Sequence, residues 1–226
     1  MKILTISDEE CPGLWDFYSP GKLDGYDLIL SCGDLSSRYL SFLVTMAKCP
    51  VLYVHGNHDG GYRHNPPEGC DCIDGHIVTY NGVRILGLGG CRKYHPGPHQ
   101  YTNTQMALRI ARLRWKLLLM GGVDIVVTHS PPEGLGDGDD IAHWGFAALR
   151  DLLDKYKPAY LVHDHVHMSY GHNIAREIEY NGTKIVNAYQ RYTIEIPDRE
   201  VKVRHLNQVI YKTRLPQDDM PGMVIQ

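Results

Sequence analysis

The chain has 226 residues, 43% of them hydrophobic and 22% charged, with a net charge of -3. That length supports one substantial domain with its own core, and the charge gives no push toward nucleic acid or an anionic membrane as an obligate partner. No apolar run reaches the about 18–20 residues that span a bilayer.

The opening "MKILTISDEE" lacks the apolar region and small-residue cleavage site of a signal peptide and reads as a first strand. The six cysteines, Cys11, Cys32, Cys49, Cys70, Cys72 and Cys91, then read as reduced thiols of a cytoplasmic protein. Cys70 and Cys72, flanked by His64 and His76, are spaced more tightly than zinc ligands usually are, so loop thiols are the better reading.

In chain order, "KILTIS" (2–7), "DLILSC" (27–32) and "VLYVHG" (51–56) look like buried strands. Between the last two, 36–48 has the composition of a helix, with Pro50 beyond its end; this βαβ unit implies parallel strands. "HIVTY" (76–80) and "VRILGLG" (83–89) flank Asn81-Gly82, a hairpin signal, because Asn-Gly accepts the positive φ angles of a type I′ turn. A helix follows over about 103–120, with Met106, Ile110, Leu113, Leu117 and Met120 at core spacing. "DIVVTH" (124–129) is a strand, Phe146 to Tyr156 a helix that ends before Pro158, and "AYLVH" (159–163) a strand. "REIEY" and "KIVNAY" flank a second Asn-Gly at 181–182, and "RYTIEI" and "VKVRHL" follow, so the C-terminal half is expected to end in antiparallel hairpins. Strands alternating with helices predict an α/β sandwich of two mixed sheets with helices outside. The domain is expected to run over 1–210, with a polar tail at 211–226.

The chemistry lies at strand ends. Asp8 and Glu10 follow the first strand, Asp34 the second, and Asn57, His58 and Asp59 the third. His129 ends a later strand, and His163, Asp164, His165 and His167 follow another. Ligands of open α/β sheets bind outside the carboxyl ends of strands. An isolated Asp there is usually a turn or cap, and an isolated His a satisfied polar group, but five such ends together point to a site. The donors are oxygen and nitrogen without thiolate, which favours Mn, Fe, Zn or Mg. They are too many for one ion, so two would share them with one carboxylate bridging.

The ordered set Asp8-Glu9-Glu10, Gly33-Asp34, Gly56-Asn57-His58-Asp59, His129 in "THSPP" and Asp164-His165-Val166-His167 resembles the calcineurin-like metallophosphoesterase superfamily over about residues 1–190. The resemblance implies a four-layer α-β-β-α sandwich with a dimetal centre. It implies that Asp34 bridges two ions, that Asp8, Glu10 and His167 complete one, and that Asn57, His129 and His165 complete the other. It casts His58 as the group that assists the leaving oxygen, Asp59 as the group that orients that imidazole, and a metal-bridging hydroxide as the nucleophile.

Two positions depart from the family pattern. Glu10 stands where D-x-H has histidine, a hard anionic oxygen that tilts the expected metal toward Mn or Mg. Asp164 stands where G-H-x-H has glycine, which suggests a backbone needing positive φ or close approach to the metals; an Asp there perturbs the site by strain or by its added negative charge, so Asp164→Gly is expected to raise activity. His163 reads as support for the neighbouring ligands, and Arg38 as support for the site or its helix. Arg92, Lys93, His95 and His99, with Arg63 and His64, are a candidate rim for a phosphorylated substrate or a plain solvated loop. Arg109, Arg112 and Lys116 share a helical face that reads as solvated rather than as a nucleic-acid contact.

The expected protein is therefore a compact phosphodiesterase using two divalent ions, manganese favoured, on a phosphorylated small molecule or nucleotide. Nucleic acid is not the favoured partner, no membrane partner is expected, and the oligomeric state is left open. A phosphomonoesterase or nuclease on the same site is the alternative, followed by a non-catalytic scaffold.

Overall fold

The structure is a computed structural model that describes residues 1–170, 174–197 and a short strand at 210–211. Its strands are β1 (Lys2–Ile6), β2 (Leu28–Ser31), β3 (Val51–Tyr53), β4 (Asp71–Cys72), β5 (Ile77–Tyr80), β6 (Val83–Leu88) and β7 (Cys91–Arg92). They continue with β8 (Gln100–Tyr101), β9 (Ile125–Thr128), β10 (Tyr160–His163), β11 (Glu177–Tyr180), β12 (Thr183–Asn187), β13 (Tyr192–Glu195) and β14 (Ile210–Tyr211). The helices are α1 (Ser37–Met46), α2 (Asn103–Arg112), α3 (Arg114–Leu119) and α4 (Ala147–Tyr156).

One sheet has the order β13-β1-β2-β3-β4 and the other β11-β12-β10-β9-β6-β5-β14. The central strands of each are parallel, and β13, β11 and β5 run antiparallel to their inner neighbours. Strand alternation distributes the apolar residues over both faces. Ile3, Leu28, Leu30 and Leu52 from the first sheet meet Ile85, Ile125, Val127 and Val162 from the second, forming the core between sheets. Leu4, Ile29 and Val51 turn outward onto Tyr39, Leu40 and Leu43 of α1. Leu86, Val126 and Leu161 turn outward onto α2, α3 and α4. The result is a four-layer α-β-β-α sandwich.

Local chemistry accounts for the element limits. The Ser36 side chain caps α1 by accepting from Tyr39 N, and Thr102 and Gln105 form a reciprocal capping box on α2. Both Asn-Gly turns have the positive φ pair of a tight hairpin, Asn81 and Gly82 at 47° and 79°, Asn181 and Gly182 at 50° and 85°. α4 stops at Lys157, which takes the left-handed conformation just before Pro158.

Two expectations change. The helix expected over 103–120 is broken at Leu113, whose N–H reaches back to Ile110 O in a tightened turn. No Gly or Pro marks that break, and Leu113 and Leu117 stay buried across it, so the periodic pattern runs through uninterrupted. Of the expected C-terminal hairpins, only β11–β12 forms among the described residues. β13 instead crosses to the first sheet and covers the free edge of β1, with Lys2 opposite Glu195 and the Met1 ammonium donating to Ile196 O at 2.8 Å. "VKVRHL" (201–206) and the tail beyond Tyr211 lie outside the described residues.

Candidate metal centre

The parallel strands β1, β2 and β3 deliver Asp8, Asp34 and Asn57 to the edge where β9 and β10 deliver His129, His165 and His167. Glycine makes the approach feasible. A β-carbon on Gly33 would collide with Gly56 N, and one on Gly56 would collide with Asp34 Oδ1. The turns are also strained: Asp8, Asp34 and His165 have φ of 60°, 56° and 67°. Left-handed backbone costs a residue with a β-carbon about 1–2 kcal/mol, and such strain gathers at functional sites.

These side chains meet across the two sheets. His129 Nε2 lies 3.0 Å from Asn57 Oδ1 and 3.3 Å from Asp34 Oδ2, while its Nδ1 lies 2.9 Å from the Cys32 carbonyl. His167 Nε2 meets Asp8 Oδ1 at 3.0 Å, and the other Asp8 oxygen accepts from Ser7 Oγ at 2.7 Å. Asp34 Oδ1 accepts the His58 amide at 2.7 Å, and its Oδ2 is 4.0 Å from His58 Nε2. His165 Nε2 donates to Ala142 O at 2.7 Å. Asp34, His129 and His165 each present a donor atom within 4.8 Å of the other two.

The electrostatics are those of buried carboxylates facing imidazoles. Burial would raise the Asp8 carboxyl, but the His129 charge and hydrogen bonds from His167 and Ser7 hold it well below the usual range. Asp34 is likewise lowered, against burial, chiefly by His129. Burial disfavours the His129 imidazolium, yet Asp34 and Asp8 raise that group to about 9. His165 goes the other way: burial, then the His129 charge, pushes it down to about 3, so it is neutral and keeps a lone pair on Nδ1. His129 thus has three oxygen acceptors around two ring nitrogens. Without a cation it must carry two protons. A divalent ion at Nε2 would replace one of them and meet the amide and carboxylate oxygens already aimed there. The donor set fits divalent metal.

A profile of the family described as calcineurin-like phosphoesterase matches residues 3–169. The chain belongs to that family. Among curated relatives it is 27% identical over 220 residues to the UPF0046 protein K07C11.7 of Caenorhabditis elegans, covering 84% of this chain and 70% of that one. It is 28% identical over 203 residues to a lariat debranching enzyme of Drosophila melanogaster, covering 64% of this chain and only 38% of the fly protein. A solved structure, TT1561 of Thermus thermophilus, shares the fold at a TM-score of 0.56 and 17% identity, covering 83% of this chain and 88% of that one.

Within this member of the family, three expected roles meet a different geometry. Glu10 does not reach the centre; its carboxylate accepts a hydrogen bond from Ser36 Oγ, the cap of α1. Glu10 does not line the cavity over Asp8 and Asp34. Asp59 does not orient His58. It is buried and accepts the backbone amides of Gly56 at 2.7 Å and Asp34 at 2.9 Å, while the His58 side chain is 76% exposed. Burial, with the neighbouring Asp34 charge, raises the Asp59 carboxyl to about 6. At the third position the left-handed residue is His165, not Asp164, so positive φ is not what a glycine at 164 would serve. Its carboxylate is fully buried, with neither oxygen in a well-formed hydrogen bond, and burial and Asp8 push it well above the usual range. His163 is buried and pushed down by burial to about 4, with Nδ1 at 3.1 Å from Asp164 O.

A cavity of about 410 Å³ opens over Asp8, Asp34, Asn57, His58, His165 and His167, and Tyr94, Ala142 and His143 also line it. Sequence reasoning missed those three. Tyr94 lies inside the loop singled out for its basic residues, and its hydroxyl, 3.4 Å from Asn57 Nδ2, is what reaches the site. His143 lies 15 residues past the end of β9, deep in the loop that leads to α4, so no strand end marked it. Arg38, Arg63, His64, Lys93 and His95 are exposed and do not line it, although the His95 ring packs edge-on against Tyr94 at 4.2 Å. Arg92 lies over the Phe146 ring. Cys70 and Cys72 do not converge with His64 and His76, and all six cysteines are free thiols.

A second group braces the Asn57 loop. Asp74 receives Arg109, the Gly89 amide and His55 Nδ1 at 3.2 Å, and the His55 and His99 rings stack at 4.2 Å. His55, Asp74 and His99 are spaced as three ligands could be. Asp74 is already satisfied by Arg109 and His55, and parallel stacked rings cannot both aim in-plane lone pairs at one ion, so the group reads as an ion-pair anchor. Arg109 therefore points inward, and the basic stripe expected with Arg112 and Lys116 is broken.

Proposed function

We propose that this protein is a metal-dependent phosphodiesterase acting on a phosphorylated small molecule or nucleotide. The observation that carries the reading is His129 Nε2, which faces Asn57 Oδ1 and Asp34 Oδ2 while Nδ1 is engaged by Cys32 O. Asp34 would bridge two ions, Asp8 and His167 would hold one, and Asn57, His129 and His165 the other. With Glu10 outside the set, manganese is favoured on the oxygens of Asp8, Asp34 and Asn57 alone; iron, zinc or magnesium are the alternatives. Bound ions would supply a strong oxygen nucleophile near neutral pH and neutralise charge on the phosphoryl group.

The chain's own residues do the rest. His58 stands at the mouth of the cavity, with its backbone fixed by Asp34 Oδ1 and its ring free to reach a leaving oxygen and protonate it. Asp59 sets the position of Asp34 rather than the tautomer of His58. Tyr94 and His143 flank the opening and would contact the leaving group. The likeness to proteins named lariat debranching enzymes supports the diester preference, and the six free thiols support a reducing, cytoplasmic setting.

The test compares bis-p-nitrophenyl phosphate with p-nitrophenyl phosphate in the presence of manganese. Higher kcat/KM on the diester is expected; the reverse order makes the protein a phosphomonoesterase. His58→Ala is expected to lower kcat by about 10²–10⁴ with little change in melting temperature. Unchanged turnover in that variant, or no divalent-metal binding by the purified protein, would leave only a scaffold role.

A further inference from the structure

Helices α2 and α3 are apolar on two sides. Met106, Leu113 and Leu117 face the sheet and are buried. On the outside, Trp115 is 75% exposed, Leu118 66%, Leu108 55% and Leu119 53%. Leu108, Arg112, Trp115 and Leu119 recur at helical spacing, so the outer face is a stripe rather than a scatter. Folding needs only the inner one.

The charge on this stretch is of one sign. Residues 101–122 contain Arg109, Arg112, Arg114 and Lys116 and no Asp or Glu, in a chain whose net charge is -3. Arg109 is spent inward on Asp74; Arg112, Arg114 and Lys116 are exposed around the tryptophan and leucines. The adjoining α4 carries Arg150, Asp151, Asp154 and Lys155 and is mixed, which confines the basic apolar face to α2 and α3.

We infer that the α2–α3 face docks this protein onto an anionic lipid surface, with Trp115, Leu118 and Leu119 in the headgroup boundary and Arg112, Arg114 and Lys116 on acidic headgroups. Tryptophan and leucine beside arginine suit that boundary, where one side is apolar and the other charged. A nucleic-acid backbone would use the cations and leave the leucines in water. A second copy would set like charges against each other. The attachment is peripheral, made by one face of two short helices; no helix among the described residues is long and apolar enough to cross a membrane.

The face runs from α2, which Arg109 ties to Asp74 and the Gly89 carbonyl beside the Asn57 loop, to α3, whose end lies away from the catalytic edge. Met120, which closes α3, accepts from Arg84 near the start of β6, whereas the candidate metal centre lies beyond the ends of β9 and β10. The two are separated by the length of the strands, about 3.3 Å per residue. No residue of α2 or α3 lines the cavity, so the docking face and the cavity are built from different residues.

The experiment is cosedimentation of the full chain with phosphatidylcholine vesicles, with and without about 30 mol% phosphatidylserine, at low and physiological salt. Binding to the anionic vesicles only is expected, weakening with salt, with a blue shift of emission that Trp115→Phe abolishes. Arg112→Gln with Arg114→Gln should weaken it about 25-fold, roughly fivefold per charge, and Trp115→Ala with Leu118→Ala at least tenfold. Both pairs lie on the exposed face, so turnover of a nitrophenyl ester is unchanged. Three results would overturn the inference: no vesicle binding; equal binding to neutral vesicles; or salt-sensitive binding to DNA, RNA or a second copy that these substitutions abolish while vesicles are ignored. Failure of ester hydrolysis with vesicle binding intact would sink the phosphoesterase reading and not this one.

Discussion

Asp59 accepts the backbone amide of Asp34, 25 residues earlier in the chain, at 2.9 Å, and one oxygen of its carboxylate serves the Gly56 amide as well. One buried carboxylate thus ties the loop after β2 to the loop after β3, directly behind the residue proposed to bridge two ions. Asp59→Ala should strip both amides of their partner and destabilise the fold by about 2–4 kcal/mol, with weaker divalent-metal binding, measured by urea unfolding and metal titration. Asp59→Asn keeps an acceptor oxygen and should lose less than half as much. If Asp59 instead acted by orienting His58, both variants would match His58→Ala in kcat and leave stability untouched.

Metal binding should release a proton from His129. Its folded value is about 9 and its unfolded value 6.5, so without metal the imidazolium's stabilisation is complete below 6.5 and fades as pH rises through 9. A divalent ion at Nε2 has to displace that proton. Apparent metal affinity should therefore climb with pH up to about 9, by about tenfold per unit where one proton is displaced. Titration calorimetry in buffers of different ionisation enthalpy reads the proton count, and His129→Gln should abolish the release along with tight binding. A release of zero near pH 7.5 in the unsubstituted protein would contradict the assignment.

Asp164 is a buried carboxyl without a well-formed hydrogen bond, and its folded value lies well above its unfolded 3.8. By linkage, its contribution to stability is present below 3.8 and is lost as pH rises toward the folded value. In metal-free protein, Asp164→Asn should match the unsubstituted chain near pH 4. It should exceed it at pH 8 by a few kcal/mol at most, on the order of 1–3. Because the left-handed backbone falls at His165, Asp164→Gly relieves no φ strain, and the gain in activity expected from that cause should not appear.

Glu10→Gln separates the two placements of that residue. With its carboxylate on Ser36 Oγ, outside the cavity, the substitution should leave metal stoichiometry intact and kcat within about threefold, at a stability loss below about 1 kcal/mol. Asp8→Asn, by contrast, should cost metal at one position, read by elemental analysis after gel filtration. Loss of one metal equivalent in Glu10→Gln would return Glu10 to the centre.

Most of the fold was legible in the sequence because its signals are local. β-branched runs, two Asn-Gly turns, Pro50 and Pro158 act within a few residues, and they located β1, β2, β3, β5, β6, β9, β10, β11 and β12. The short β4, β7 and β8 carry too few residues for a pattern, and the partner of β13 depended on which edge stood free. The break at Leu113 has no residue that announces it.

At the site, the sequence by itself determined which groups gather. A parallel strand must end at the common edge, so position marked Asp8, Glu10, Asp34, Asn57, His58, Asp59, His129, His163, Asp164, His165 and His167, and the family resemblance sorted them into roles. What each side chain does there was decided only by the tertiary structure, because a carboxylate answers to the nearest donor and not to its place in a motif. Asp59 found two backbone amides instead of His58, Glu10 found Ser36 instead of the centre, and Tyr94, Ala142 and His143 arrived from loops whose path no local pattern encodes. The same limit applies outside: spacing showed one apolar stripe on α2 and α3, and only packing revealed that a second faces water.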